Sequence, residues 1–374
     1  ECINFAGKSV TVRSIDPANP AVVAGTIIDG GAAGSVVTFN SGEGASAVLM
    51  GLTITNGSGT LNSYGGFDGG GIYCSGSSPT IAKNVIIGNS ALGTLAAGGG
   101  IVCHSGANAL IDCNTISTNT TGGFNTYGGG IACFGSSPTI SGNLIMGNTA
   151  PMLGGGIYAN QTSGGMISGN TIGGNASTSY GGGVCLVGSP TLSGNLITAN
   201  TASTRGAGVY VNNTASPVIE GNTISGNTGA SQGGGICSYQ NSSSTVIKNN
   251  LIIGNSAKSG GWGGGGIHCY SSSATIQNNT IVGNSAAGSA IGGAGILCSG
   301  GSASIENNIV AGNLGGGGVY SYQASPSISY TNFFGNTSAN YVGMTDQTGS
   351  NGNISVEPMF AGVGDYHLQS RQGR

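Results

Sequence analysis

Charge is scarce in this sequence: 8 Lys and Arg face 11 Asp and Glu across 374 residues, a net charge of −3. So nearly neutral a chain offers nucleic acid or anionic lipid no electrostatic hold, and neither is expected as a partner. Long apolar runs are also missing. None approaches the ~20 residues that a membrane-crossing helix needs, so no membrane span is expected. A signal-peptide pattern is missing too, because the chain opens directly in strand-like sequence, Glu1-Cys2-Ile3-Asn4-Phe5 and then Ser9-Val10-Thr11-Val12. It therefore reads as a mature or excised segment of a longer secreted chain, with neighbouring domains and an extracellular or cell-surface location. Helix-favouring stretches are the fourth absence, since Gly occupies 77 positions. That glycine follows no Gly-X-Y triplet, and 38% hydrophobic residues with little net charge argue against disorder.

What is present is a repeat. One unit reads Gly128-Gly129-Gly130-Ile131-Ala132-Cys133, then Ser137-Pro138-Thr139-Ile140, then Asn143-Leu144-Ile145-Met146-Gly147-Asn148. Its last Gly recurs at 71, 100, 130, 156, 183, 208, 235, 266, 295 and 318. Variable spacing around a fixed motif means variable loops on a fixed coil. Each unit holds three short segments in which β-branched or apolar residues alternate with small ones, predicting three strands per turn. Leucine-rich repeats need more Leu, and left-handed hexapeptide helices need a constant coil length. Because crossover connections between parallel strands are right-handed, the prediction is a right-handed parallel β-helix of about twelve coils, a rod of roughly 60 Å. It forms a single domain over residues 1–374: irregular coils to about 60, regular repeats over 61–336, and a closing segment over 337–374.

Two asparagine columns accompany the coil, at 84, 114, 143, 170, 195, 222, 250, 279 and 308, and five residues later at 89 through 313. They predict ladders in which each side-chain amide bonds its counterparts in the coils above and below, and in which Asn tolerates a left-handed bend. The glycine triplets lack the Lys-Ser/Thr and the helix of a phosphate-binding loop, so they are expected to supply unusual dihedrals where loops enter strands. Cys74, Cys103, Cys133, Cys269 and Cys298 share a column with Ala159, Leu186 and Val211, which predicts free buried thiols. The preceding column, expected to face outwards, holds Tyr73, Tyr158, Cys185, Tyr210, Cys237, His268 and Tyr320. There Cys237 and His268 are rung neighbours, a pair that would need Cys185 as a third ligand to hold a soft metal.

Two surfaces could carry chemistry. Ahead of the first ladder Asn stand Glu220, Lys248 and Glu306. Glu220 and Glu306 are three rungs apart, roughly 14 Å, too far for a hydrolase pair, and Lys248 between carboxylates is poorly tuned as a base. A cross-strand ion pair between Glu220 and Lys248 is the plainer reading. The second surface combines the loops before the glycine triplets with the outward tyrosine column, and it offers Asp68, Tyr127, Tyr180, Arg205 and Trp262 beside Tyr158, Tyr210 and His268. Aromatic rings interspersed with hydroxyls and amides suit sugar rings. Outward Thr115, Thr171, Thr223 and Thr280 recur without a sustained flat array, which argues against an ice-binding face.

Gly7-Lys8-Ser9-Val10-Thr11-Val12-Arg13-Ser14, Thr26-Ile27-Ile28-Asp29-Gly30, Gly51-Leu52-Thr53-Ile54-Thr55-Asn56-Gly57, the repeats, and the closing Glu357-Pro358-Met359-Phe360 and Asp365-Tyr366-His367-Leu368 carry a resemblance over almost the whole chain. The sequence resembles the right-handed parallel β-helix repeat proteins of the pectate-lyase-like superfamily, and within it a secreted bacterial group. The resemblance implies an extracellular, polysaccharide-interacting protein, with glycan cleavage by a lyase or glycoside hydrolase left open and a non-catalytic surface, adhesive or matrix protein as the alternative. The polygalacturonase motifs and the acidic calcium cluster of pectate lyases are missing, so no catalytic residue carries over. No cofactor is evident, and Ca2+ is the one that the superfamily leaves open. If the chain cleaves glycans, the catalytic candidates are Glu220, Lys248, Glu306, Arg205 and His268, the Glu as acid or base and the cations gripping a uronate. Substrate binding is expected at Tyr127, Tyr158, Tyr180, Tyr210, Trp262 and Asp68.

Overall fold

The computed structural model describes residues 2–369, apart from 161–162, 214, 241–244, 259, 261, 287–291 and 363. Three long parallel sheets of 13, 12 and 12 strands run the length of a solenoid. Sheet 1 contains the strands that follow the glycine triplets, such as Ile72–Ser75, Ile131–Phe134 and Ile267–Tyr270. Sheet 2 contains Thr80–Ala82, Val218–Glu220 and their equivalents, and sheet 3 contains Val85–Ile87, Thr223–Ser225 and theirs. Register is regular along most of the stack, with shifts at Ser163/Met166 and Gly293/Ile296, because the strands place aliphatic residues inward at matching positions. Ile131, Ile140 and Ile145 of one coil lie against Ile157, Ile167 and Ile172 of the next, all buried. Each such side chain contributes roughly 1.5–3 kcal/mol of burial. Rings occupy the two ends of this core, Phe5 with Phe39 near the first coil and Phe333 with Tyr341 near the last.

A fourth, narrower sheet was not expected. Ser90–Leu92, Thr120–Gly122, Thr149–Ala150, Ala176–Ser177 and Thr201–Ala202 pair in parallel, and single bridges continue the line through Thr228, Ser256, Ser285 and Leu314. A coil thus has four ladders where three were predicted. A short helix, α1 (Pro20–Gly25), departs from the expected absence of helix; its first turn is capped by the Asn19 side chain and pre-set by Pro20.

The asparagine columns are hydrogen-bonded ladders. Asn114 is typical: its Nδ2 donates to Asn143 Oδ1 at 3.0 Å and to the Ile81 carbonyl at 2.9 Å, while its Oδ1 accepts from the backbone N–H and Nδ2 of Asn84. The second column continues to Asn336. One detail differs from expectation. The left-handed residue is the one before the ladder Asn, such as Cys113 (φ 54°) or Gly142 (φ 62°), so the bend is made there and the Asn side chain turns inward. The glycine triplets divide their labour in a comparable way. In the units from Gly69 to Gly264 only the first Gly, such as Gly128 at φ 62°, has a positive φ, whereas the third is required by space. A Cβ on Gly130 would lie 2.6 Å from the Gly156 carbonyl oxygen of the next coil.

Candidate functional site

Sheet 1 has a second apolar layer on its outer face, which the alternation of in and out did not reveal. Val102, Ala132, Tyr158, Cys185, Tyr210 and Cys237, all in the column expected to face solvent, are buried. The reason is the loops that precede the glycine triplets. They stack on one another as a ladder of single parallel bridges, Asp68 to Ala97, Tyr127, Leu153, Tyr180, Arg205, Gln232 and Gly263. This wall closes over one half of the sheet face. Beyond it lies the last residue of each sheet 1 strand, including His104, Phe134, Tyr239, Tyr270 and Tyr322. Wall, buried floor and strand ends run side by side along sheet 1, and the space between them opens as a groove at the first coils.

Aromatic rings line much of this side of sheet 1. Tyr127, Phe134 and Tyr158 cluster with centroids 4.8–5.6 Å apart. Tyr180 stacks on Tyr210 at 5.0 Å, and Tyr239 on Tyr270 at 4.9 Å with planes 13° apart, a direct result of their pairing on adjacent rungs. Trp262 meets Tyr270 and Tyr322 edge-on and remains 38% exposed. Arg205 lies between two rings, its guanidinium carbon 5.1 Å from the Tyr180 centroid and 4.0 Å from that of Tyr239. Its Nε donates to Gln232 Oε1 at 2.6 Å. Such a contact fixes the cation in a partly desolvated place.

At the first coils of the wall the groove is a cavity of about 680 Å³. The hairpin Thr60–Leu61 and Phe67–Asp68 frames one side. Half-buried Asp68 accepts from Asn62 Nδ2 at 3.1 Å, and burial pushes its carboxyl up to about 6. His104 meets Tyr73 edge-on at 4.9 Å, and burial lowers its pKa.

The candidate residues fall in two places. Glu220, Lys248 and Glu306 are on sheet 2, where Lys248 Nζ is 3.0 Å from a Glu220 oxygen and Glu306 is 3.5 Å from Gln277. The outer side of sheet 1 carries Asp68, Tyr127, Tyr158, Tyr180, Arg205, Tyr210 and Trp262, of which Asp68, Tyr127 and Tyr158 line the cavity at the first coils. Tyr158 and Tyr210, expected at the surface, are 4% and 3% exposed and act as a floor beneath neighbouring rings. His268, expected in the same outward column, is fully buried. Its Nε2 is 2.7 Å from Ser299 Oγ, and burial, helped by Arg205, holds its pKa down at about 3. It is a neutral packing residue beside Cys237, whose thiol burial pushes up to about 12. All nine cysteines are free, and seven of them are buried. The sequence reading missed His104, Phe134, Tyr239, Tyr270 and Tyr322, although each lies two residues beyond the outward column and so shares its face by strand alternation.

The family profile described as "Right handed beta helix region" matches residues 70–182 and 130–296. No curated protein and no solved structure matches the chain. With the matched segments together spanning more than half of the sequence, and with the parallel sheets and ladders described above, the chain belongs to the right-handed β-helix family.

Proposed function

We propose that this protein binds a polysaccharide along the outer side of sheet 1, outside the cell or at its surface, and that its role is binding rather than cleavage. The observation that carries this reading is the run of aromatic residues Tyr180, Tyr239, Tyr270, Trp262 and Tyr322, half-buried or partly exposed at intervals of one or two coils along sheet 1, with the Arg205 guanidinium between Tyr180 and Tyr239. Apolar ring surface left open at these positions, such as that of the 38% exposed Trp262, suits the apolar faces of sugars, and the flanking hydroxyls and amides suit their polar edges. The backbone is fixed by ladders, so little ordering is needed on binding.

Binding is favoured over cleavage because glycoside hydrolysis needs two carboxylates about 5–10 Å apart. The groove at the first coils is lined by one carboxylate, Asp68. Glu220 and Glu306 are on another sheet, and Glu220 is engaged by Lys248. Incubation with pectin, alginate, xylan and β-glucan, with products followed by reducing-end and unsaturated-uronate assays and binding by glycan array, tests the reading. Binding without new chain ends is expected. Depolymerisation would overturn the non-catalytic part, and absence of both binding and cleavage would overturn the whole.

A further inference from the structure

The cavity at the first coils of the groove has an unusual pairing of walls. Rings of Tyr64, Tyr73, Tyr127, Phe134 and Tyr158 surround it, and the one ionisable acid among its lining residues is Asp68. None of the lining residues is Lys or Arg, and Asp68 makes no ion pair among the described residues. Arg205 stands in the same wall five rungs away, roughly 24 Å by strand spacing. A carboxylate drawn partly out of water without a cation carries a desolvation cost that a bound positive charge would offset. The ring faces carry the negative side of the aromatic quadrupole and also attract positive charge.

Other ligand classes fit these walls less well. An anion would meet Asp68 and the ring faces, both repulsive. A hard metal cation wants six or more oxygen ligands with several carboxylates among them, whereas Asp68 is the one carboxylate in these walls. An uncharged sugar would use the rings and leave the carboxylate uncompensated. A cation with an apolar body uses both. We propose that this cavity is a binding site for an organic ammonium group, seated against the aromatic faces and paired with Asp68. The group could be supplied by an amino sugar within a glycan or by a small free quaternary amine. The site stands on the cavity's own walls and does not require the polysaccharide reading.

The remaining titratable groups in the cavity are Tyr64, Tyr73, Tyr127, Tyr158 and His104. Burial raises the pKa of Tyr73, Tyr127 and Tyr158 and lowers that of His104, favouring the neutral form of each. Asp68 is therefore the charge that a bound cation would meet.

Isothermal titration of the whole protein at pH 7.5 with choline and with 3,3-dimethyl-1-butanol, its uncharged isostere, isolates the charge. Choline is expected to bind at least roughly tenfold more tightly. Asp68→Asn should abolish that preference, and in the unmodified protein it should fade as the pH is lowered through the Asp68 titration. Tyr127→Leu should weaken choline binding several-fold. Glucosamine and N-acetylglucosamine separate the sources: glucosamine binding more tightly than both choline and its acetylated form supports an amino sugar, and choline binding more tightly supports a free quaternary amine. Equal binding of choline and its isostere, a preference that survives Asp68→Asn or low pH, or no binding of either amine would overturn the proposal. The pH series needs no variant, so a misfolded substitution does not decide the outcome.

Discussion

Replacing Asn148 with Ala tests the ladder in its simplest form. Asn148 is fully buried, and four hydrogen bonds depend on its side chain. Its Nδ2 donates to Asn175 Oδ1 at 3.0 Å and to the Ile116 carbonyl at 2.9 Å, and its Oδ1 accepts from Asn119 N–H at 2.9 Å and Asn119 Nδ2 at 3.0 Å. Ala leaves the buried Asn119 N–H without that acceptor, a cost of about 1–3 kcal/mol, and removes three further bonds worth about 0.5–1.5 kcal/mol each. The expected destabilisation is therefore about 2.5–7.5 kcal/mol. In a solenoid each coil contacts only its neighbours, so the loss should be local. Urea denaturation measures the total, and hydrogen exchange at the Asn119 amide should accelerate by a hundredfold or more. Thr139→Ala, at an exposed position on sheet 2, serves as the control and should change stability by less than about 0.5 kcal/mol. An Asn148→Ala protein within 1 kcal/mol of the original, with unchanged exchange at Asn119, would refute the ladder as a stabilising element.

Gly130→Ala should cost about 2–4 kcal/mol in the same assay, because its Cβ would press on the Gly156 carbonyl and Asn148 Nδ2, whereas Gly25→Ala, with open space and no positive φ, should be nearly neutral. A thiol reagent should titrate two cysteines in the native protein, Cys2 and Cys113, and all nine after denaturation without reductant; fewer than nine would mean disulfides. Asp68 and His268 give opposite pH signatures. The folded Asp68 keeps its proton up to about pH 6 while the unfolded chain releases it near 3.8, so Asp68 weakens the fold at high pH and this weakening disappears as pH falls to about 4. Asp68→Asn should therefore be the more stable protein at pH 7.5, by up to about 3 kcal/mol, with the difference gone near pH 4. His268 is protonated first in the unfolded chain, so its contribution is lost as pH falls from about 6.5 towards 3.

The solenoid was legible because its determinants repeat. Aliphatic residues or Cys at most inward positions, Asn at two corners and Gly at one entrance are visible in a single chain without knowledge of any contact. The ion pair between Glu220 and Lys248 followed from the same register arithmetic. What escaped was whatever the loops do collectively. Tyr158, Tyr210, Cys237 and His268 alternate correctly out of the main core, yet they are buried because the loops stack into a wall above them. Those loops differ in length and sequence, and their common feature is a backbone bridge, which leaves no side-chain signature. The fourth ladder was hidden for a similar reason: its strands are two or three residues, mostly Ser, Thr, Ala and Gly with Leu92 the one large side chain, too short to show a period. α1 was readable from Asn19-Pro20, an N-cap followed by proline, but it stands in the irregular first coils where the repeat gives no frame.

The outer side of sheet 1 carries the chain's single tryptophan, Trp262, set against Tyr270 and Tyr322. Its emission therefore reports occupancy of the proposed binding face without any label. Titration with a polysaccharide that the protein retains should shift or quench that emission saturably. Tyr239→Ala should weaken the interaction by about tenfold, while Glu220→Ala on sheet 2 should leave it unchanged. Saturable glycan binding that leaves Trp262 emission unaltered and is lost in Glu220→Ala instead would place the ligand on the other face and contradict the account.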